Sequence, residues 1–100
     1  MTLEQVKELF QTDALKELCR HYEVARLAVF GSTARNEATE DSDLDLLVGF
    51  TQPKGFFDFC SFELKLEQAT QHKVDLVTEN SLSPRFRNEV LRDLKDLYAA

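Results

Sequence analysis

Two aspartates stand two residues apart at the head of an apolar run, Asp43-Leu44-Asp45-Leu46-Leu47-Val48. No other feature of this chain restricts its fold as much. Side chains in a strand alternate between faces, so Asp43 and Asp45 share one face while Leu44 and Leu46 turn towards a core. Asp is depleted in strands, so a pair on one face works against local propensity and needs a reason outside folding. Two hard oxygen ligands side by side on a rigid element suit Mg²⁺.

The preceding segment supplies a complement. Leu27-Ala28-Val29-Phe30 reads as an apolar strand that runs into Gly31-Ser32. Gly31 allows a sharp turn and the close approach of a ligand. Ser32 is expected to cap a short helix starting at Thr33 or Ala34. A helix start offers N–H groups and a positive dipole end to phosphate. A phosphate cradle beside a carboxylate pair is the equipment of metal-assisted phosphoryl or nucleotidyl transfer.

The stretch resembles a known family. Gly31-Ser32, ten residues, then Asp43-Leu44-Asp45 follows the G-S-x10-D-x-D pattern of nucleotidyltransferases with a DNA polymerase β-like palm. The fuller wording, G-S-T-A-R followed by S-D-L-D-L-L-V, is similar to the smallest members, the minimal nucleotidyltransferases (MNT, MntA-like), and the likeness covers nearly the whole chain. Asn36 stands where many relatives carry glycine; Asn tolerates a left-handed backbone, so the turn survives. The resemblance implies an α+β fold: a small mixed sheet with helices packed on one side.

Composition sets outer bounds. One hundred residues predict a single domain, 1–100, with a modest core. No apolar run approaches the roughly 20 residues of a membrane span, and the start shows no secretory signal, so no membrane partner and a cytoplasmic location are expected. The net charge of −6 argues against direct DNA binding. It leaves room for a nucleoside triphosphate, because bound Mg²⁺ supplies local positive charge. Cys19 and Cys60 have no metal-ligand spacing and read as free thiols.

Along the chain, Thr2 to Gln5 resembles a capping box opening a first helix. Thr12-Asp13 can cap a second, with Leu15, Leu18, Cys19 and Tyr22 on its apolar side. His21 falls near its end, where a cation meets the dipole favourably. Strands are expected over Val24–Phe30 and Leu44–Phe50, with a short helix or turn over Thr33–Thr39 between them. Phe56–Gln71 reads as a helix, its Phe56, Phe57, Phe59 and Phe62 divided between core and contact surface, with Glu63, Lys65 and Glu67 on a solvated face. A third strand follows at Lys73–Thr78. In it Val74 and Leu76 share one face, Asp75 and Val77 the other; His72 before it faces solvent. Ser83-Pro84 opens a last helix whose apolar stripe is Phe86, Val90, Leu94 and Leu97, with Arg85, Arg87, Arg92 and Lys95 largely off it.

Two blander readings compete with this one. Asp41, Asp43 and Asp45 mimic the start of an EF-hand loop, which requires Gly at its sixth position and Glu at its twelfth; those are Leu46 and Gln52 here, so the calcium reading fails. A plain strand–helix turn explains Gly31 but not two aspartates on one strand face and a third acid in the next strand.

The resemblance assigns roles: Asp43, Asp45 and Asp75 as catalytic residues and ligands of two Mg²⁺ ions, Gly31 and Ser32 as binders of the phosphates of ATP. Arg35 is expected beside the site, on phosphate or balancing the acids. Larger relatives carry a further helical domain for their acceptor, so here the acceptor must be held mostly by another molecule. The family implies a HEPN-domain toxin as partner, silenced by AMP added to a tyrosine. The alternatives are a non-catalytic subunit that neutralises a partner by contact, and a transferase acting on a small molecule or an RNA end.

Overall fold

A computed structural model describes residues 1–100. Helix α1 spans Leu3–Leu9 and is held by the expected capping box: Thr2 Oγ1 accepts from the Gln5 amide at 3.1 Å and Gln5 Oε1 from the Thr2 amide at 2.9 Å. Next come α2 (Asp13–His21), β1 (Val24–Phe30), the single turn α3 (Gly31–Ala34) and β2 (Leu44–Phe50). After these lie α4 (Phe56–Thr70), β3 (Val74–Thr78), a 3₁₀ turn (Glu79–Ser81), α5 (Pro84–Asp93) and β4 (Lys95–Ala99). No helix is long and apolar enough to cross a membrane.

The strands order as β3-β2-β1-β4. β1 is antiparallel to both β2 and β4, whereas β2 and β3 are parallel and joined through α4. The small mixed sheet with helices packed against it is thus the architecture that forms. Alternation builds its core: Leu27 and Val29 of β1, Leu44, Leu46 and Val48 of β2, and Val74 and Leu76 of β3 turn inward onto Val6 of α1, Phe10 just after it, and Leu15, Cys19, Phe62 and Leu66 of α2 and α4. Burial pushes the Cys19 thiol up to about 11, so it is inert packing. The four phenylalanines of α4 divide: Phe62 is buried and Phe59 packs partly on the core, while Phe56 and Phe57 are exposed.

Four expectations change. The last helix does not run to Leu97. Leu94 leaves helical geometry (φ −57°, ψ 132°) and the chain adds β4 to the edge of β1, burying Leu97 in the core. Leu94 and Leu97 therefore do not extend a stripe with Val90, and Phe86 is 53 % exposed. The physical reason is tertiary: without β4, the backbone groups along one side of β1 would lack partners.

Glu63 and Glu67 are not simply solvated. β3 is an edge strand, and its outward amides are met by side chains: Val74 donates to Glu67 Oε2 at 2.9 Å, Leu76 to Glu63 Oε2 at 3.1 Å and Thr78 to Ser81 Oγ at 3.1 Å. One i,i+4 pair on α4 thus closes most of an edge that could otherwise recruit a foreign strand. His72 is half-buried rather than solvent-facing, its Nδ1 lying 3.0 Å from the Thr70 carbonyl.

Ser32 is not a helix cap. The turn starts at Gly31, with Phe30, two residues before Ser32, in the cap position and no side-chain cap bond. Gly31, at φ +71°, takes the chain straight from strand into turn. Asn36 does adopt the left-handed conformation expected of it, at φ +59°.

Candidate active site

Register brings three elements together at one end of the sheet. Phe30, the last residue of β1, stands opposite Asp45 on β2, and Asp45 stands beside Asp75 on β3. Because Leu44, Leu46, Val74 and Leu76 face the core, Asp45 and Asp75 both point to the other face. Asp43, just before β2, shares that side by alternation. Asp43 and Asp75 are exposed and Asp45 is half-buried.

The turn at Gly31 packs directly on this acid row. A Cβ added to Gly31 would lie 3.2 Å from Cγ and 3.4 Å from Cβ of Asp45, with a carboxylate oxygen nearer still. Only a glycine lets the turn and that carboxylate approach so closely. Burial pushes the Asp45 carboxyl up to about 6; the negative charges of Asp75 and then Asp43 act in the same direction, and the Arg35 guanidinium opposes them. The three acids therefore feel one another across the face. They are not drawn into a closed cage of three around one point. Hard carboxylate oxygens crowded on one face, one of them half-buried, form a donor set that suits Mg²⁺, since a divalent ion relieves their repulsion.

Arg35, directly after α3, is engaged on both sides. Its Nε donates to Glu37 at 2.8 Å and its Nη1 to Asp93, the last residue of α5, at 2.6 Å. These two bonds raise its pKa. Gly31, Arg35 and Asp75 line one groove of about 340 Å³ whose far wall is α5. Gly31, Arg35 and the three acids thus occur on one side of the sheet, with Arg35 tied to a helix that local patterns read only as an apolar stripe with basic residues largely off it; Ser32 does not line the groove. The α5 wall, with Asp93, Phe86 and Val90, was missed; it has no signal in local sequence, because α5 reaches the site only by crossing from the β3 edge to the β4 edge.

Residues 12–97 match the family model of the nucleotidyltransferase domain. The chain belongs to that family. It is 38 % identical over 94 residues to the protein adenylyltransferase MntA of Thermococcus cleftensis, covering 94 % of each chain. A candidate protein adenylyltransferase of Methanocaldococcus jannaschii is likewise 38 % identical over 94 residues, 93 % of this chain and 95 % of that one. Among solved structures, a candidate minimal nucleotidyltransferase superposes with a TM-score of 0.78 at 42 % identity, covering 95 % of both chains. An MNT antitoxin bound to a tri-AMPylated HEPN toxin from Shewanella oneidensis shares the fold, with a TM-score of 0.67 at 22 % identity over 94 % of this chain and 73 % of that one. This nucleotidyltransferase therefore presents its acids and its glycine turn on a fold shared with solved members of the family.

Proposed function

We propose that this nucleotidyltransferase moves AMP from ATP to a tyrosine hydroxyl of a partner protein, and that the partner is a HEPN-domain toxin for which it is the antitoxin. The observation that carries the reading is the row Phe30–Asp45–Asp75, with the Gly31 turn pressed against its central carboxylate. Asp43, Asp45 and Asp75 would hold two Mg²⁺ ions, which when bound neutralise charge on the transferring phosphate. Gly31 and Ser32 would bind the β- and γ-phosphates, with Arg35 at the edge of the cradle. Asp75 takes the proton of the acceptor hydroxyl. The oxygen forms a bond to the α-phosphorus, the bond from that phosphorus to the β-phosphate oxygen breaks, and pyrophosphate leaves.

The two relatives above that are named as protein adenylyltransferases match nearly end to end, which supports a protein acceptor. Incubation with ATP labelled in its α-phosphate, Mg²⁺ and the protein encoded next to it tests the reading. Label on a tyrosine of that neighbour is expected, and an unlabelled neighbour overturns it. Neutralisation by contact alone is the second reading, favoured by Phe56 and Phe57, which are 76 % and 87 % exposed at the start of α4. Asp43→Asn combined with Asp45→Asn separates the two: contact predicts that neutralisation survives, transfer predicts that it is lost.

A further inference from the structure

The groove under α5 joins the site at Asp75, and its chemistry differs from that of the acid row. Phe30 and Val77 contribute its sheet side; Leu82, Phe86 and Val90 contribute the other. Phe86 is 53 % exposed although it lines this groove, so an occupant would cover it. The charged groups along the groove are Asp75, Glu89, Asp93 and Arg35. Arg35 is already bound by Glu37 and Asp93, so the balance is negative.

We infer that this groove selects the acceptor: it seats the side chain that carries the attacking hydroxyl, that side chain is a neutral aromatic ring, and Phe86 is its specificity-determining contact. The inference rests on the transfer reading above and adds where the acceptor is chosen. Three observations converge. Asp75, the acid given the hydroxyl proton, lines the groove, whereas Asp43 and Asp45 do not, so a hydroxyl lying in the groove meets Asp75 first. The walls are apolar on both sides, which favours a flat ring over the short polar stem of serine or a ribose. The flanking carboxylates accept hydrogen bonds and donate none. A phenol supplies the one donor they need. Phosphates would be repelled by the same carboxylates.

The test uses the full chain, labelled with ¹⁵N, titrated with 4-methylphenol and separately with adenosine. 4-Methylphenol is expected to shift the amides of Phe30, Val77, Phe86 and Val90 together, and Phe86→Ala to weaken its binding at least about 2-fold, the low end of the range for one lost aromatic contact. Leu91→Ala, on α5 but outside the groove, should leave the affinity unchanged. Adenosine moving the same amides, shifts gathered at Phe56 and Phe57 instead, or no shift up to about 10 mM overturns the inference. The outcome is independent of transfer: an unlabelled neighbour beside a phenol-binding groove refutes the proposed function, and a labelled neighbour beside a groove that ignores phenol refutes this inference.

Discussion

Gly31→Ala would test the junction between turn and acid row most directly. Gly31 sits at φ +71°, where an L-residue pays about 1–2 kcal/mol. The new methyl would also stand within 3.2 Å of Asp45 Cγ. That clash falls on a side chain that can rotate, so it is relieved by turning the Asp45 carboxylate away rather than by unfolding the sheet. Stability should therefore drop by only the backbone strain. In a domain of this size that lowers Tm by about 4–8 °C for the smaller figure and about 8–16 °C for the larger. Transfer should drop far more, about 100-fold or beyond, because displacing a catalytic group by about 1 Å has that effect. Urea unfolding and transfer rates measured well below Tm separate the two losses. Gly49→Ala is the control: a Cβ there meets nothing within 4 Å, so stability should stay within about 0.5 kcal/mol and activity should hold. Combining Gly31→Ala with Asp45→Ala should cost less than the sum of the two, because the second change removes the clash of the first. Wild-type transfer by Gly31→Ala, or strictly additive losses, would refute the claim that the turn and the carboxylate work in contact.

Asp45 gives a pH signature. Its folded pKa of about 6 lies above the ordinary 3.8, so the folded protein keeps a proton that the unfolded chain has lost in that window. The associated stability is fully present below about pH 4 and is lost as pH rises through about 6. Asp45→Asn removes the loss, so its Tm advantage over the wild type should widen between pH 4 and pH 7 and shrink when millimolar Mg²⁺ is added; parallel curves would count against the buried, crowded carboxylate. Leu97→Ala should cost about 2–5 kcal/mol in urea unfolding, as expected for a leucine buried in a core strand. Leu94→Ala, at a half-buried position between α5 and β4, should cost clearly less. Equal costs would support a continuous apolar helix instead of β4.

What was legible in the sequence is what strand periodicity and local backbone chemistry determine. Alternation alone sent Leu44 and Leu46 one way and Asp43 and Asp45 the other, and the same rule placed Asp75 opposite Val74 and Leu76. Gly31 and Asn36 declared their positive φ because few residues accept it. What stayed hidden depends on which strand lies at an edge, and no window of sequence holds that. Glu63 and Glu67 look like an ordinary charged helix face until β3 proves to be an edge with amides to satisfy. Val90, Leu94 and Leu97 keep helical spacing, yet the final segment is worth more as a strand beside β1 than as further turns of α5. Arg35 meets one acid two positions away and another 58 positions away. The near partner is a local matter, but the distant one exists only because the return from β3 to β4 must cross the acidic face. That crossing has a functional consequence. The connection that closes the sheet also becomes the wall of the groove, so in so small a chain α5 serves the fold and the site together, and a substitution on its groove side such as Phe86→Ala can alter acceptor choice with little effect on stability.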